Sequence, residues 1–380
     1  MKIGFLVNPV AGIGGPAGLW GSDTAATRAE AARLGYVSRA AERASLALRQ
    51  LPDADAHWLT GTGAMGEKLM RELGFSSVEV LNGCEPPTTA ATTRQLVRRF
   101  ADGGVQLVVF AGGDGTARDI AAVVGTDVPV LGIPAGVKMR SGCFGVTPAV
   151  AGAIVARVID GSLSRYREVE VLDLANGAEN AHHARDTAAG SALYGYCNSP
   201  DPGGMLLQSP KARRDDDRGD RRLIAREAAA RLTDADLIVC GPGRTANGVL
   251  AELGSTGSLL GVDVYDHSRG VLEANVSELR LFEVLDAGRR AGRRAALVLG
   301  VIGGQGSLFG RGNQQLSARV VAAVGFGNLL VVASITKLSN LAGRPLLIDW
   351  DGPNDAGTLP EYVRVIAGRG LEVVYPISSG

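Results

Sequence analysis

Residues 107–119 read LVVFAGGDGTARD, and this stretch decides the fold. An apolar run ends at Phe110, and Gly112, Gly113 and Gly115 then surround Asp114. A short apolar run of this kind is typical of a buried strand. We expect a helix to begin near Ala117, so the stretch predicts a strand, a glycine turn and a helix in direct succession.

The pattern repeats on both sides of this stretch. Short apolar segments at 3–8, 56–60, 78–82, 105–110 and 128–133 predict strands. Between them, helices are expected at 24–51 with a break at Gly35, at 63–73, and at 88–102 with Thr88 or Thr89 as the N-cap. Strands that alternate with helices indicate βαβ units and a parallel sheet. The fold class is therefore α/β, with a doubly wound parallel-sheet domain at 1–147.

A second α/β or α+β domain is expected at 148–380. A helix at 148–160 and an alternating strand from Tyr166 open it, and further apolar segments lie at 236–240, 295–302 and 328–335, with a last strand pair or βα piece at 362–375. Two stretches in this half are polar and rich in turn residues, 175–190 and 198–222. The second of them, with acidic and basic residues interspersed, is predicted to be an exposed, mobile loop.

Composition narrows the class of protein. Lys and Arg together number 39, as do Asp and Glu, so the formal net charge is zero, which argues against a protein that coats nucleic acid. The four cysteines show no metal-ligand spacing, and a reducing, cytoplasmic location is expected. No apolar stretch reaches the roughly 18–20 residues of a membrane span. Glycine supplies 53 of 380 residues, roughly twice its usual share of about 7%.

The turn at Gly112–Thr116 has the chemistry of a phosphate site. Glycines let backbone amides converge on an anion, and the N-terminus of the following helix adds donors and a positive dipole end. Asp114 beside bound phosphates would orient an acceptor hydroxyl, take its proton or meet Mg²⁺. The alternative is a tight turn in which Asp114 only caps the helix.

Three other glycine-rich segments follow predicted strands. The first carries Asn8, Gly12, Gly14 and Gly15, and the second carries Lys138, Arg140 and Ser141, which could contact phosphate oxygens. Because parallel strands end at the same edge of a sheet, these loops and the Asp114 turn can face one crevice. The third, at 302–315, offers backbone groups and polar side chains for a base, an amide or a phosphate, with loop packing as the alternative: Gly303, Gly304, Gln305, Gly306, Arg311, Asn313 and Gln314.

The GGDGT pentapeptide resembles the superfamily of NAD kinases, diacylglycerol and sphingosine kinases, and 6-phosphofructokinases. Longer segments are similar to the archaeal and bacterial ATP-NAD kinase-like family, which includes proteins encoded beside acetoin-catabolism genes: NPVAGIGG, AGGDGTARDI, LGIPAGVKMRSG, DLIVCGPGR and IGGQGSLFGRGNQQLS. The resemblance implies an NAD-kinase or phosphofructokinase type of first domain and a kinase that uses ATP, or polyphosphate, with Mg²⁺. It implies that Asp114 is the base toward the 2′-hydroxyl of NAD, that Gly112, Gly113, Gly115 and Thr116 face phosphate, and that the protein forms a homo-oligomer. Neither a nucleic-acid partner nor a membrane partner is expected.

Three departures from the family pattern surround this core. Trp20 stands where many members have a lysine, and Arg140 stands where a histidine is expected. The Asn-Glu dipeptide that NAD kinases use on the adenine-side ribose has no clear counterpart, Asn275 and Glu278 being nearest. Two alternatives therefore remain beside an NAD kinase: a kinase of another small hydroxylated metabolite, and a non-catalytic protein that binds NAD or ATP.

Overall fold

The computed structural model describes residues 1–19, 24–51, 56–84, 86–137, 139–174, 191–203, 207, 218–302, 306–350 and 359–379. The chain divides into two compact units, of which the first comprises Met1–Ile13 with Trp20–Pro210 and the second comprises Gly14–Leu19 with Lys211–Gly380. The division expected from the sequence after residue 147 therefore falls inside the first unit.

The first unit is built on a parallel sheet. Its five strands, in the spatial order β3-β2-β1-β4-β5, are β1 (Lys2–Val7), β2 (His57–Gly61), β3 (Val78–Leu81), β4 (Leu107–Gly112) and β5 (Val130–Pro134). Its helices are α1 (Ala25–Arg33), α2 (Ala40–Leu48), α3 (Glu67–Glu72), α4 (Ala90–Asp102), α5 (Asp114–Val124) and α6 (Pro148–Ile159). The predicted α/β class with a parallel sheet is confirmed.

Both faces of this sheet are covered. Phe5 and Val109 point into a core shared with α2 and α6, whereas Leu6 and Phe110 point into a core shared with α4 and α5. Neighbouring residues of a strand face opposite sides, so a strand that is covered on both sides is apolar along its whole length. All six residues of β4 are buried accordingly.

Two local predictions in this unit are confirmed. The segment 24–51 forms two helices separated at Gly35, which has a φ of 79°. Thr89 caps α4, because its side chain accepts from the amide of Thr92 while the side chain of Thr92 accepts from the amide of Thr89. Such a reciprocal pair satisfies two amides that a helix N-terminus leaves without partners.

The first unit also contains an antiparallel strand pair, β6 (Tyr166–Leu174) and β7 (Ser191–Pro200). Both strands contact α5, which explains why they belong to this unit and not to a separate domain that starts at residue 148.

The prediction that 198–222 is one exposed loop is wrong at both ends. Asn198–Pro200 lies in β7, where Ser199 is fully buried, and the helix α7 (Arg218–Ala230) begins before the stretch ends. The polar stretch 175–190 lies outside the described residues, as do 204–206 and 208–217.

The second unit contains a mixed nine-stranded sheet. Its strands are β8 (Leu237–Cys240), β9 (Asp263–Asp266), β10 (Val271–Glu273), β11 (Ala295–Gly300), β12 (Ser307–Phe309), β13 (Leu329–Val332), β14 (Leu346–Ile348), β15 (Tyr362–Gly368) and β16 (Leu371–Ser379). They lie in the order β10-β9-β8-β11-β13-β15-β16-β14-β12. Its other helices are α8 (Arg244–Glu252), α9 (Glu278–Arg290), α10 (Ala318–Val324) and α11 (Ile335–Ser339). The strand pair expected within 362–375 is confirmed as β15 and β16, which are antiparallel.

Among the residues that the structure describes, no helix is both long and apolar enough to cross a membrane. The four cysteines are buried and form no disulfide.

Candidate active site

The candidate site lies where β1 and β4 end beside each other. In the strand order β3-β2-β1-β4-β5, successive strands are added on one side of β1 up to β3 and on its other side from β4 onward, so the strand order reverses between β1 and β4. Ligands of open α/β sheets bind outside the carboxyl ends of the strands at such a switch point. The segment after β1 carries Asn8, and the segment after β4 carries Asp114.

The helix α5 begins earlier than the sequence suggests. It starts at Asp114 with Gly113 as its N-cap, not near Ala117. Asp114 therefore occupies the first helical turn, where the dipole favours a negative charge, and it is not the capping residue.

Glycines let three loops approach one another at this edge. A Cβ atom added to Gly136 would lie 2.6 Å from the Cα of Gly113, and one added to Gly12 would lie 2.3 Å from the carbonyl oxygen of Ala135. Gly12 also has a φ of 74°, which favours glycine. The backbones after β1, β4 and β5 are thus close enough that side chains at these positions would separate them.

Asn8 connects the loop after β1 to α5. Its Nδ2 donates to Thr116 Oγ1 at 2.9 Å, while its Oδ1 accepts from the amide of Val10 at 3.2 Å. Gly112 faces Thr116 so closely that an added Cβ would lie 2.6 Å from the hydroxyl oxygen. The structure therefore brings together Asn8, Gly112 and Thr116, three of the residues predicted to form the site.

The carboxylate of Asp114 is held by the loop after β5. The amide of Arg140 lies 2.7 Å from Oδ2 and 3.0 Å from Oδ1, and the amide of Ser141 lies 3.0 Å from Oδ1. The hydroxyl of Ser141 lies 2.8 Å from Oδ1. Within the described part of the chain, Oδ2 accepts only the Arg140 amide, so it retains acceptor capacity for a further hydroxyl.

Burial changes the acidity of this group. Asp114 is 5% exposed. Burial is the main cause that raises the pKa of Asp114 from 3.8 to about 7, with the negative charge of Asp173 adding to it and the hydrogen bonds from Arg140 and Ser141 opposing it. A carboxyl group with a pKa near neutral is suited to accept a proton in catalysis at that pH.

Ser141 links Asp114 to strand β6. Its Oγ lies 2.9 Å from the carbonyl oxygen of Leu172 and accepts from the amide of Leu172 at 3.0 Å. Arg140 is 9% exposed. Burial lowers the pKa of its guanidinium, and the negative charges of Asp114 and Asp173 partly offset this by raising it. The carboxylate of Asp114 is thus connected, through Ser141, to a residue of β6 that lies 31 positions beyond Ser141 in the sequence.

Asp173 and its partner Arg118 lie near the site but are not among the residues predicted from the sequence to form it. Asp173 lies on β6, is 8% exposed, and its Oδ2 is 2.7 Å from Nη1 of Arg118 on α5. Two signals were available. First, Val169 and Val171 occupy alternate, buried positions of β6, and Asp173 occupies the next such position, where the alternation predicts an apolar side chain. Second, Arg118 lies four residues after Asp114, on the same face of the helix.

Several predicted site residues lie outside the described residues: Trp20, Lys138, Gly303, Gly304 and Gln305. Gly14 and Gly15 belong to the second unit, where a Cβ added to Gly15 would lie 3.1 Å from the side chain of Gln314. Asn275, also in this unit, donates from Nδ2 to the carbonyl oxygen of Gly18 at 3.0 Å. Glu278 accepts from Ser317 and Arg319.

The polar side chains near 311–313 contact other protein groups of the second unit. Nε of Arg311 lies 3.3 Å from Oδ2 of Asp349, and these residues are 4% and 9% exposed. Nδ2 of Asn313 donates to the carbonyl oxygen of Leu308 at 2.9 Å. Gly306 has a φ of 71° and lies in a turn before β12. These contacts favour loop packing for Arg311 and Asn313, and ligand binding by this segment stays a prediction.

We expect Arg311→Leu to lower the free energy of unfolding by about 3–5 kcal/mol, because it leaves the buried carboxylate of Asp349 without its cation. Urea denaturation of the full chain measures this. The double variant R311L/D349L should recover most of the loss, since no unpaired charge remains. A single variant as stable as the wild type would show that this ion pair does not support the fold.

A protein-held metal does not fit the described residues. No group of three or more His, Cys, Asp or Glu side chains among them could hold a metal ion. Oδ1 of Asp114 accepts from two amides and one hydroxyl, and Oδ2 accepts from one amide.

A strand, a glycine turn and a helix whose first residue is the buried Asp114 thus follow one another directly in the first unit. The family model described as ATP-NAD kinase N-terminal domain matches residues 3–163, which contain the whole parallel sheet, Asp114 and Ser141. Over these residues the chain is similar to the ATP-NAD kinase family, as its motifs predicted. No curated protein and no solved structure matches the chain.

Proposed function

We propose that this protein transfers the terminal phosphoryl group of MgATP to the 2′-hydroxyl of the adenosine ribose of NAD, giving NADP and ADP. The observation that carries the proposal is the buried carboxylate of Asp114, held by amides of the loop after β5 within an ATP-NAD kinase N-terminal domain.

The chemistry assigned to the chain is one proton transfer and the positioning of two substrates. Oδ2 of Asp114 takes the proton of the 2′-hydroxyl while that oxygen forms a bond to the γ-phosphorus. The bond between the γ-phosphorus and the bridging oxygen breaks, and ADP leaves with the electron pair. Phosphoryl transfer needs little covalent participation by protein, so converging glycine loops and one base suffice.

The direct test incubates the purified full chain with MgATP and NAD and detects NADP by mass spectrometry. Polyphosphate replaces ATP in a parallel reaction, and other hydroxylated metabolites replace NAD. NADP formation that requires the wild-type chain supports the proposal. Phosphorylation of another acceptor but not of NAD overturns the assignment of the acceptor, and binding of NAD and ATP without transfer overturns the enzyme itself.

The pH dependence of kcat/KM should show an acid limb with a midpoint near pH 7. The pKa of Asp114 is about 7, so the carboxyl group is protonated and unable to accept a proton below that pH. We expect kcat/KM to fall about tenfold for each pH unit below the midpoint and to level off above it. Initial rates between pH 5.5 and 9 measure this, and a flat profile below pH 7 would contradict the role of Asp114 as base.

A further inference from the structure

A buried carboxylate outside the matched family segment lies beside Asp114. Asp173, on β6, is 8% exposed, and a buried charge is costly unless it is paired. Its partner is Arg118, with 2.7 Å between Oδ2 and Nη1. The guanidinium of Arg118 also lies 5.2 Å from the ring centroid of Tyr194 on β7.

This ion pair connects two elements that both hold Asp114. Arg118 is one helical turn after Asp114 on α5, so the two side chains lie on the same face of the helix. Asp173 directly follows Leu172, whose amide donates to the hydroxyl oxygen of Ser141. The single hydroxyl proton of Ser141 is within hydrogen-bond distance of both the carbonyl oxygen of Leu172 and Oδ1 of Asp114, and the amide of Ser141 also donates to Oδ1. A shift of β6 relative to α5 would therefore move the donors that orient the carboxylate.

The charge of Asp173 also acts on Asp114 itself. It adds to burial in raising the pKa of Asp114, and Asp114 in turn raises the pKa of Arg140 and of Cys143, two titratable groups of the loop after β5 among the described residues, against the effect of burial on Arg140.

The other buried carboxylate of α5 serves as an internal comparison. Asp119 is paired with Arg94 of α4 at 2.5 Å and is not among the groups that shift Asp114. Asp119 is thus a buried carboxylate of the same helix whose ion pair is made with α4 and not with β6.

We infer that Asp173 and Arg118 are positioning residues for Asp114: their ion pair fixes β6 against α5 and so keeps the Ser141 donors in place on the carboxylate of Asp114. The role in catalysis rests on the proposed function, whereas the effect on Asp114 does not.

The test is a titration of Asp114 in the full chain without substrates. The carboxyl carbons of aspartate are labelled with ¹³C, and D114N assigns the resonance. In D173N the midpoint of Asp114 should move down by about half a pH unit to one unit, since a nearby negative charge is lost. The midpoint should stay at the wild-type value in the control D119N, and D173E should restore it.

An Asp114 midpoint that is the same in folded D173N as in D119N overturns the inference. If D173N does not fold, the wild-type spectra still test the inference, because it requires Asp173 to be ionised at the pH where Asp114 loses its proton. An Asp173 resonance that titrates above the Asp114 midpoint would overturn it. In the kinase assay, the acid limb of kcat/KM for D173N should move down by the same interval as the resonance. Absence of any NAD phosphorylation by the wild type would overturn the proposed function and leave the titration as an independent result.

Discussion

Asp114→Asn is expected to lower the kcat of NAD phosphorylation by about three orders of magnitude while the chain stays folded. An amide cannot accept the proton of the attacking hydroxyl, and removal of a general base typically costs about 10²–10⁴ in rate. Asn has nearly the shape of Asp, so the glycine loops can keep their places. Single-turnover measurements with saturating MgATP and NAD test the effect on the chemical step.

The matched control is Asp119→Asn, because Asp119 is a buried carboxylate on the same helix that pairs with Arg94 away from Asp114. It should lose stability and keep most of its kcat. Wild-type turnover in D114N would end the assignment of Asp114 as base, and an equal loss of kcat in both variants would point to a general disturbance of α5.

Stability gives D114N a second readout with a defined sign. The pKa of Asp114 is raised in the folded state, from 3.8 to about 7. The folded protein therefore binds this proton more tightly than the unfolded chain does, and stability falls as pH rises through this window. The shift corresponds to about 4 kcal/mol at most. D114N lacks this cost. The difference in free energy of unfolding between D114N and the wild type should therefore shift in favour of D114N as the pH rises from 4 to 8, and urea denaturation at several pH values measures it.

Gly136→Ala is expected to lower kcat/KM about a hundredfold. The added Cβ would lie 2.6 Å from the Cα of Gly113, and a backbone atom cannot rotate away as a flexible side chain can. The loops after β4 and β5 must therefore move apart, which displaces the amides that hold Asp114. A misplacement of about 1 Å in a catalytic arrangement can cost about 10² in rate. Steady-state kinetics with both substrates measure the loss.

Gly219→Ala, in α7, provides the control, since among the described residues no atom beyond its chain neighbours and the backbone of α7 lies within 4 Å of the added Cβ. This variant should retain wild-type kinetics and stability. For G136A we also expect a loss of about 1–3 kcal/mol in the free energy of unfolding, as in other overpacked sites. Wild-type kcat/KM in G136A would mean that the close approach of the two loops is not needed for activity.

The sequence predicts the parallel sheet well because its strands are buried on both faces. Continuous apolar runs such as those of β1 and β4 are unambiguous when glycine turns and helices follow them. The prediction for Asp114 rests on an equally local signal, since GGDGT is contiguous in the sequence. The start of α5 was placed late, because a glycine N-cap such as Gly113 carries no side-chain signature.

The contacts that tune Asp114 could not be read in the same way. Ser141 meets Leu172 across 31 positions of sequence, and Arg118 meets Asp173 across 55. Such pairs follow from how β6 packs on α5, and no local pattern specifies that packing. The same long-range contact lies within the first unit, beyond the boundary that the sequence analysis expected after residue 147.

The placement of β6 has a practical consequence for anyone who recombines this chain with a relative. The family match ends at residue 163, and β6 begins at Tyr166. A chimera joined at the end of the match would inherit Asp114 from one parent and, from the other, the strand whose Leu172 contacts Ser141 and whose Asp173 pairs with Arg118. A breakpoint beyond Pro200 would transfer both together, so the smallest exchangeable module of this protein is larger than the segment by which its family is identified.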